Sequence, residues 1–185
     1  VAVTGVQTWL FRSFLVTETV TLPKELDDVA RIGINFELNK ELDQYTYFGV
    51  GPHESMPDRA IGRVGKYSST VEKQLTDYIK PQECGGHVGV RWFEISDSPA
   101  GGLAKNARGI RIELDKPRMV TVLPVTSEAL ADATHNIYVK RSGTTVVTID
   151  AIHRGVGTAS CGPDTLDQYK IKPGTYKFTW TLLAL

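Results

Sequence analysis

The feature of this sequence that most restricts its fold is a set of strand-length segments in which apolar and polar residues alternate. In residues 30–38 the apolar side chains fall on one face and the polar ones on the other: Ile32, Ile34, Phe36 and Leu38 against Arg31, Asn35 and Glu37. In residues 175–185 one face again collects the large apolar side chains, Tyr176, Phe178, Trp180 and Leu182. A two-residue period is that of a β-strand with one buried face.

The rest of the chain predicts more strands and little helix. Further strands are expected at residues 14–22, 44–48, 88–96, 109–114, 119–125, 136–140 and 144–152. Turns rich in Gly, Pro and Ser separate them, with turns at 98–102 and 141–143. The best helix candidate is residues 126–135, and one or two helical turns are expected in 71–79. The fold class is therefore all-β with minor helix, an antiparallel sandwich.

Size and charge exclude several classes of protein. A length of 185 residues suits a single domain, residues 1–185, with a substantial core. Lys plus Arg and Asp plus Glu are both 21, so the formal net charge is zero. That balance argues against a nucleic-acid partner, and no apolar run is long enough for a bilayer span. We expect neither nucleic acid nor membrane as a partner.

The cysteines, histidines and first residue give further expectations. Cys84 and Cys161 are too few for a disulfide framework, so a reducing, cytoplasmic location is expected, with secretion left open. Cys161 has no sequence cue for activation and is expected to be an inert thiol. The four histidines lack metal-ligand spacing, so no metal site is predicted. Val1 is not Met and no signal peptide follows, which suggests a segment of a longer polypeptide.

The most unusual chemistry lies in residues 47–59, Tyr-Phe-Gly-Val-Gly-Pro-His-Glu-Ser-Met-Pro-Asp-Arg. A strand ends there in a Gly-Pro turn and is followed by the polar side chains of His53, Glu54, Asp58 and Arg59. Two carboxylates are what a glycosidase needs, and Glu83 is a third candidate, but nothing in the residues ranks one as acid or nucleophile. We expect instead that Arg59 pairs with a carboxylate of these loops and that the loop is structural.

Several motifs, taken in order, resemble one known family. They are residues 47–59, then 65–71 (Gly-Lys-Tyr-Ser-Ser-Thr-Val), 78–83 (Tyr-Ile-Lys-Pro-Gln-Glu), 90–92 (Val-Arg-Trp), 149–157 (Ile-Asp-Ala-Ile-His-Arg-Gly-Val-Gly) and 160–164 (Ser-Cys-Gly-Pro-Asp). This series resembles the C-terminal small-chain domain, domain 5, of the β-galactosidases of glycoside hydrolase family 2. The resemblance implies an antiparallel β-supersandwich similar to galactose mutarotase, of which this chain is the C-terminal part.

The resemblance also implies where the chemistry lies. In that family the catalytic glutamates belong to a separate TIM barrel, so no catalytic residue is expected here and the segment alone should be inactive. The resemblance implies that the complete enzyme hydrolyses terminal β-D-galactosides such as lactose with retention. Members of that family often use Mg²⁺ and Na⁺ in other domains, so no cofactor is expected in this segment.

The implied role of this segment is to support the barrel and to lend one wall to the galactoside pocket. The residues expected in that wall are Gly157, Thr158, Ser160 and Cys161. Some relatives stack a tryptophan on the sugar at the position of Cys161, so this chain lacks that aromatic platform. The residues expected to hold the polar loops together are His53, Glu54, Asp58, Arg59, Gln82, Glu83 and His153.

Two other functions stay open from the sequence. One is a free-standing mutarotase-like or carbohydrate-binding domain, in which His and Glu side chains serve acid–base chemistry. The other is a structural domain that sets the contacts of a homo-oligomer, for which exposed apolar patches or an open sheet edge are expected.

Overall fold

A computed structural model describes residues 2–9, 13–98, 108–157 and 162–185, the first of these ranges by its backbone alone. The strands are β1 Ala2–Trp9, β2 Ser13–Leu22, β3 Arg31–Asn39, β4 Gln44–Gly51, β5 Arg63–Thr70, β6 Gly86–Ser96, β7 Gly109–Leu123, β8 Thr144–His153 and β9 Gly174–Ala184. Helix is confined, within these residues, to α1 at Ser127–Asp132 and to three short 3₁₀ turns, Glu72–Gln74, Asn136–Tyr138 and Asp167–Tyr169. None of the described helices has the length and apolar character needed to cross a bilayer.

The nine strands pair antiparallel throughout, which confirms the predicted all-β class. The order β1-β2-β9-β7-β6-β4-β5 forms one continuous path, and β3 joins it through β8, which pairs with β7. The sandwich has two layers, and strand β7 takes part in both. Its residues 110–114 pair with β9 in one layer, and its residues 119–123 pair with β8 in the other. Pro117 lies between these two pairings, where its missing N–H removes no ladder hydrogen bond and the strand can turn a corner.

The core lies between the two layers and uses the predicted apolar faces. Phe178 and Trp180 of β9 are buried, and Ile34 and Phe36 of β3 pack against the same cluster. The Phe36 and Trp180 rings stack across the layers with centroids 6.0 Å apart. Glu18 is a buried carboxylate that the sequence analysis does not predict. It accepts a hydrogen bond from the Trp180 indole at 3.0 Å.

Some local predictions are corrected. Residues 136–140, expected as a strand, contain instead the 3₁₀ turn Asn136–Tyr138, and residues 109–114 and 119–125 are one strand rather than two. The helical turns expected in 71–79 reduce to Glu72–Gln74. The helix after Thr126 is confirmed, with the Thr126 hydroxyl accepting from the Ala129 amide at 3.2 Å. The turn predicted at 98–102 lies almost wholly outside the described residues.

Candidate functional site

Three segments that are distant in sequence meet around one cavity of about 420 Å³. They are the turn after β4, the chain that leaves β8, and the segment that leads into the last 3₁₀ turn. The lining residues are Asp58, Arg59, Val156, Gly157, Pro163, Asp164, Thr165, Leu166 and Tyr169. This set includes Gly157 from the predicted wall and Asp58 and Arg59 from the predicted polar loops.

The Asp58 carboxylate holds the turn at residues 155–157. Its Oδ2 accepts a hydrogen bond from the Gly157 amide at 2.7 Å, and its Oδ1 accepts a longer one from the Val156 amide at 3.4 Å. Gly155 and Gly157 have φ values of +81° and +57°, which favour glycine over residues with a side chain. The two glycines therefore form a tight turn around a carboxylate.

His153 and Arg154 fix the same segment from the other side. The Nδ1 atom of His153 accepts a hydrogen bond from the Gly155 amide at 2.9 Å, so this nitrogen carries no proton. Burial, together with the charges of Arg31 and Arg154, lowers the pKa of His153 to about 4. The guanidinium of Arg154 forms ion pairs with Asp28 at 3.1 Å and Asp164 at 2.6 Å.

Glu54 lies in a network of four donors. Its Oε1 accepts from Arg59 at 2.9 Å and from the Tyr78 hydroxyl, and its Oε2 accepts from Thr76 at 2.8 Å and the Gly85 amide at 2.9 Å. Although burial alone raises the pKa of Glu54, these hydrogen bonds and Arg59 lower it overall. The ion pair expected for Arg59 thus forms with Glu54, and both carboxylate oxygens are already occupied.

Glu83 takes part in a separate, deeper ion-pair cluster. Arg31 donates two hydrogen bonds to Asp150, at 2.9 and 2.7 Å, and a third to Glu83 at 3.1 Å. Asp150 is buried, and burial raises its pKa to about 6 despite the opposing effect of Arg31. The predicted loop residues His53 and Gln82 are exposed.

The structure describes only some of the predicted site residues. Thr158, Ser160 and Cys161 lie outside the described residues, so of the predicted wall only Gly157 is placed. The cavity also contains residues that the sequence analysis did not single out, above all Thr165, whose buried hydroxyl has no hydrogen-bond partner among the described residues. A Gly-Pro-Asp-Thr sequence at 162–165 is a turn signal, and nothing in it indicates that the threonine is buried.

The described residues contain no metal centre of the usual kind, since no three His, Cys, Asp or Glu side chains among them lie close enough to share an ion. What the cavity offers is a mixed surface. The Arg59 guanidinium can donate, the part-exposed Asp164 carboxylate can accept, the Thr165 hydroxyl can do either, and Leu166 adds an apolar face. Such a combination suits a ligand with several hydroxyl groups and an apolar side.

Comparison with known proteins gives one consistent result. The sequence profile of a family described as β-galactosidase small chain matches residues 5–182. A β-galactosidase of Actinobacillus pleuropneumoniae is 30% identical over 162 residues, which are 87% of this chain and 15% of that protein. β-Galactosidases of Lactobacillus delbrueckii subsp. bulgaricus and Kluyveromyces lactis are 36% and 32% identical over 76% and 84% of this chain.

The chain corresponds to only 13–15% of the length of these relatives. The match of the family profile nonetheless extends over nearly all of its residues. The chain belongs to the β-galactosidase small-chain family.

Proposed function

We propose that this chain is the C-terminal sandwich domain of a retaining β-galactosidase of glycoside hydrolase family 2, and that it lends one wall to the galactoside pocket. The observation that carries the proposal is the convergence of Asp58, Gly157 and Thr165 on one cavity, in a chain whose relatives are β-galactosidases. In the sequence, Gly157 is followed by the residues expected to face the sugar, Thr158, Ser160 and Cys161.

Bond cleavage is assigned to the remainder of the polypeptide, a TIM barrel. A retaining glycosidase needs two carboxyl groups about 5–5.5 Å apart, one of them free to attack the sugar. Here Glu54 accepts four hydrogen bonds, and Asp58 is bound to backbone amides. Carboxylates engaged in this way hold loops together and are poor nucleophiles. The same proposal places the Mg²⁺ and Na⁺ ions in other domains and the protein in the cytoplasm.

We propose that the barrel docks at the cavity, and two exposed apolar side chains in the segments that form the cavity support this placement. Leu166, which lines the cavity, is 65% exposed, and Ile61, two residues beyond Arg59, is 84% exposed. Single exposed apolar side chains are common on protein surfaces, but these two belong to segments that form the cavity, where the proposed function requires a partner surface. This placement puts the barrel against the cavity that Gly157 lines.

A complementation experiment tests the proposal. The chain and the remainder of its polypeptide are produced separately, and hydrolysis of a chromogenic β-galactoside is measured for each and for the mixture. We expect turnover only in the mixture, with net retention by NMR of the product anomer. Turnover by the chain alone would show that its own carboxylates are catalytic, and an inactive mixture would contradict the partnership.

Matched variants localise the docking surface. Leu166→Asp and Ile61→Asp should each prevent restoration of activity, because they place a charge on the proposed contact. Ile137→Asp is the control, since Ile137 is 78% exposed but is not one of the residues that line the cavity. Equal loss in all three variants would argue against docking at the cavity.

A second candidate function, a carbohydrate-binding domain, is favoured by one observation. A groove of about 530 Å³ crosses the outer face of β3 and β8 and is lined by polar side chains, among them Asn35, Thr148 and Glu128. Because Asn35 already donates to Thr148 at 2.9 Å and Arg31 is paired with Asp150, fewer groups are left for a ligand. Titrating the isolated chain with methyl β-D-galactoside separates the two: saturable shifts confined to the β3–β8 face would favour this candidate.

A further inference from the structure

The turn at residues 155–157 has the form of an anion-binding nest. Successive backbone N–H groups at Val156 and Gly157 point toward one position, as they do in the backbone concavities that hold phosphates and carboxylates. The left-handed φ values of Gly155 and Gly157 produce this convergence. In this chain the anion in the nest is a side chain of the protein itself, Asp58.

The nest and the carboxylate fit each other closely. A Cβ atom placed on Gly155 would lie 2.2 Å from Asp58 Oδ1 and 2.3 Å from its Cγ, so the carboxylate occupies the space that any side chain would need. A Cβ atom on Gly157 would lie 2.7 Å from the Thr165 amide nitrogen. The turn is therefore packed on one face by Asp58 and on the other by the Thr165 segment of the cavity.

Asp58 itself is held on a short closed turn. Met56 and Arg59 exchange backbone hydrogen bonds of 3.3 and 2.9 Å, which encloses Asp58 between them. The Ser55 amide donates to the Gly86 carbonyl at 2.7 Å, and Arg59 is paired with Glu54, so this turn is attached to β6 and its loop. Because the turn that carries Asp58 is held in this way, the backbone amides that bind its carboxylate are held in place as well.

We propose that Asp58 is a positioning residue: by filling the 155–157 nest, it fixes Gly157 in its place in the wall of the galactoside pocket. The link to that pocket rests on the proposed function, whereas the clamp itself does not. The resemblance and the sequence assign Asp58 only to a general loop-holding role. The nest gives it a specific partner and a specific geometry.

The clamp is tested on the 185-residue chain by amide hydrogen exchange and NMR. In Asp58→Ala, exchange at Val156 and Gly157 should accelerate by about tenfold or more, because their acceptor is gone. Asp58→Asn keeps one acceptor oxygen, so protection at Gly157 should be largely retained, and this variant keeps the test usable if the alanine variant folds poorly. Unchanged exchange at both amides in Asp58→Ala would overturn the proposal.

Chemical rescue distinguishes a filled nest from general destabilisation. Acetate added to Asp58→Ala should slow exchange at Val156 and Gly157 in a saturable way, because it replaces the missing carboxylate in a nest that is left intact. Asp97→Ala is the matched control, because Asp97 also accepts a backbone N–H, from Arg108 at 3.0 Å. Asp97 follows the end of β6, which pairs with the start of β4, whereas Asp58 follows the other end of β4. In the Asp97 variant the amide to be measured is that of Arg108. If acetate slows exchange in both variants, or in neither, the nest assignment is overturned.

The consequence for the pocket is measured on the complete polypeptide with a chromogenic β-galactoside. Asp58→Ala should raise KM by about tenfold, with Asp58→Asn close to the unaltered protein. If the unaltered polypeptide does not hydrolyse galactosides, the proposed function fails while the exchange data still decide the clamp. If it does and Asp58→Ala changes neither KM nor kcat, the positioning role fails while the proposed function stands.

Discussion

Arg31 holds a carboxylate that water does not reach. The side chain of Asp150 has no exposed surface, and Arg31 binds it through two nitrogens, with Glu83 on a third contact. A charge placed in a low-dielectric interior is stable only when a partner and hydrogen bonds replace its hydration. Here the cost of burial is still visible, because the pKa of Asp150 is raised to about 6.

The first prediction concerns this cluster. Replacing Arg31 with alanine leaves a buried carboxylate without its cation, and we expect a loss of about 3 kcal/mol or more in the free energy of unfolding. The measurement is urea unfolding near neutral pH, with the slope m compared between variants. Arg141→Ala is the matched control, because the Arg141–Glu72 pair is exposed and screened by water, so its loss should be much smaller. Equal losses would mean that burial of the pair is not what matters.

For single residues, the sequence predicted the chemical character of a side chain better than it predicted the residue that the side chain contacts. The polar side chains of residues 53–59 identify a loop built on ion pairs, and Arg59 indeed pairs with Glu54. Arg31 could be placed on the polar face of its strand, but its partner Asp150 lies 119 positions away on β8. Alternation gives the face of a strand and contains no information about the strand beside it, so such a pair follows only from the topology.

Strands β4, β6 and β7 are joined on their outer face by a row of aromatic and basic side chains. Phe48 and Trp92 lie opposite each other with ring centroids 6.2 Å apart, and the Arg111 guanidinium lies 4.1 Å from the centre of the Trp92 ring. Lys66 approaches the same ring at 5.8 Å. Cross-strand contacts of this kind are the unit from which a sheet gains stability.

The second prediction is a coupling energy across β6 and β7. In a double-mutant cycle of Trp92→Ala with Arg111→Ala, we expect an interaction of about 0.5–1 kcal/mol, the usual range for a cation over an indole face. The Trp92–Lys66 cycle should give a smaller value, because the ammonium lies farther from the ring. Denaturant unfolding of the single and double variants provides both numbers. A Lys66 coupling as large as that of Arg111 would contradict the assignment by distance.

For whole elements, the two-residue period and the composition predicted most strands but not how neighbouring segments are connected. Residues 109–114 and 119–125 are predicted as separate strands, whereas the structure has a single strand that bends at Pro117 between two layers. Residues 136–140 have the β-branched and aromatic composition of a strand, yet form a 3₁₀ turn in the connection between α1 and β8. Tertiary context decided both cases, as it often does for short segments.

The molecule as a whole carries two buried histidines that stay neutral. Burial lowers the pKa of both His87 and His153 to about 4, and each accepts or shares a hydrogen bond suited to the neutral ring. His87 stacks on Tyr47 with centroids 4.2 Å apart inside the core, with the carboxylate of Glu54 nearby. Protonation of either ring in the folded state would place a charge where hydration is poor.

The third prediction is a loss of stability on mild acidification. The unfolded chain protonates both imidazoles near pH 6.5 but the folded protein only near pH 4, so their contribution is complete above pH 6.5 and is lost as the pH falls toward 4. Asp150 acts in the opposite direction, because its folded pKa of about 6 makes the folded state take up a proton first. Two histidines outweigh one carboxylate, and the net loss from about pH 7 to about pH 5 should be about 2 kcal/mol.

Urea unfolding at a series of pH values measures this loss, and staying above about pH 5 keeps carboxylates of lowered pKa such as Glu54 ionised. His87→Gln keeps a polar side chain beside Gln74 but cannot be protonated, so it should roughly halve the histidine contribution to the pH slope whatever its effect on stability at neutral pH. His135→Gln is the control, because His135 is exposed and its replacement should leave the slope unchanged. A slope that is the same in His87→Gln and the unaltered protein would mean that His87 does not stay neutral in the fold, and the acid sensitivity would then have to come from the carboxylates.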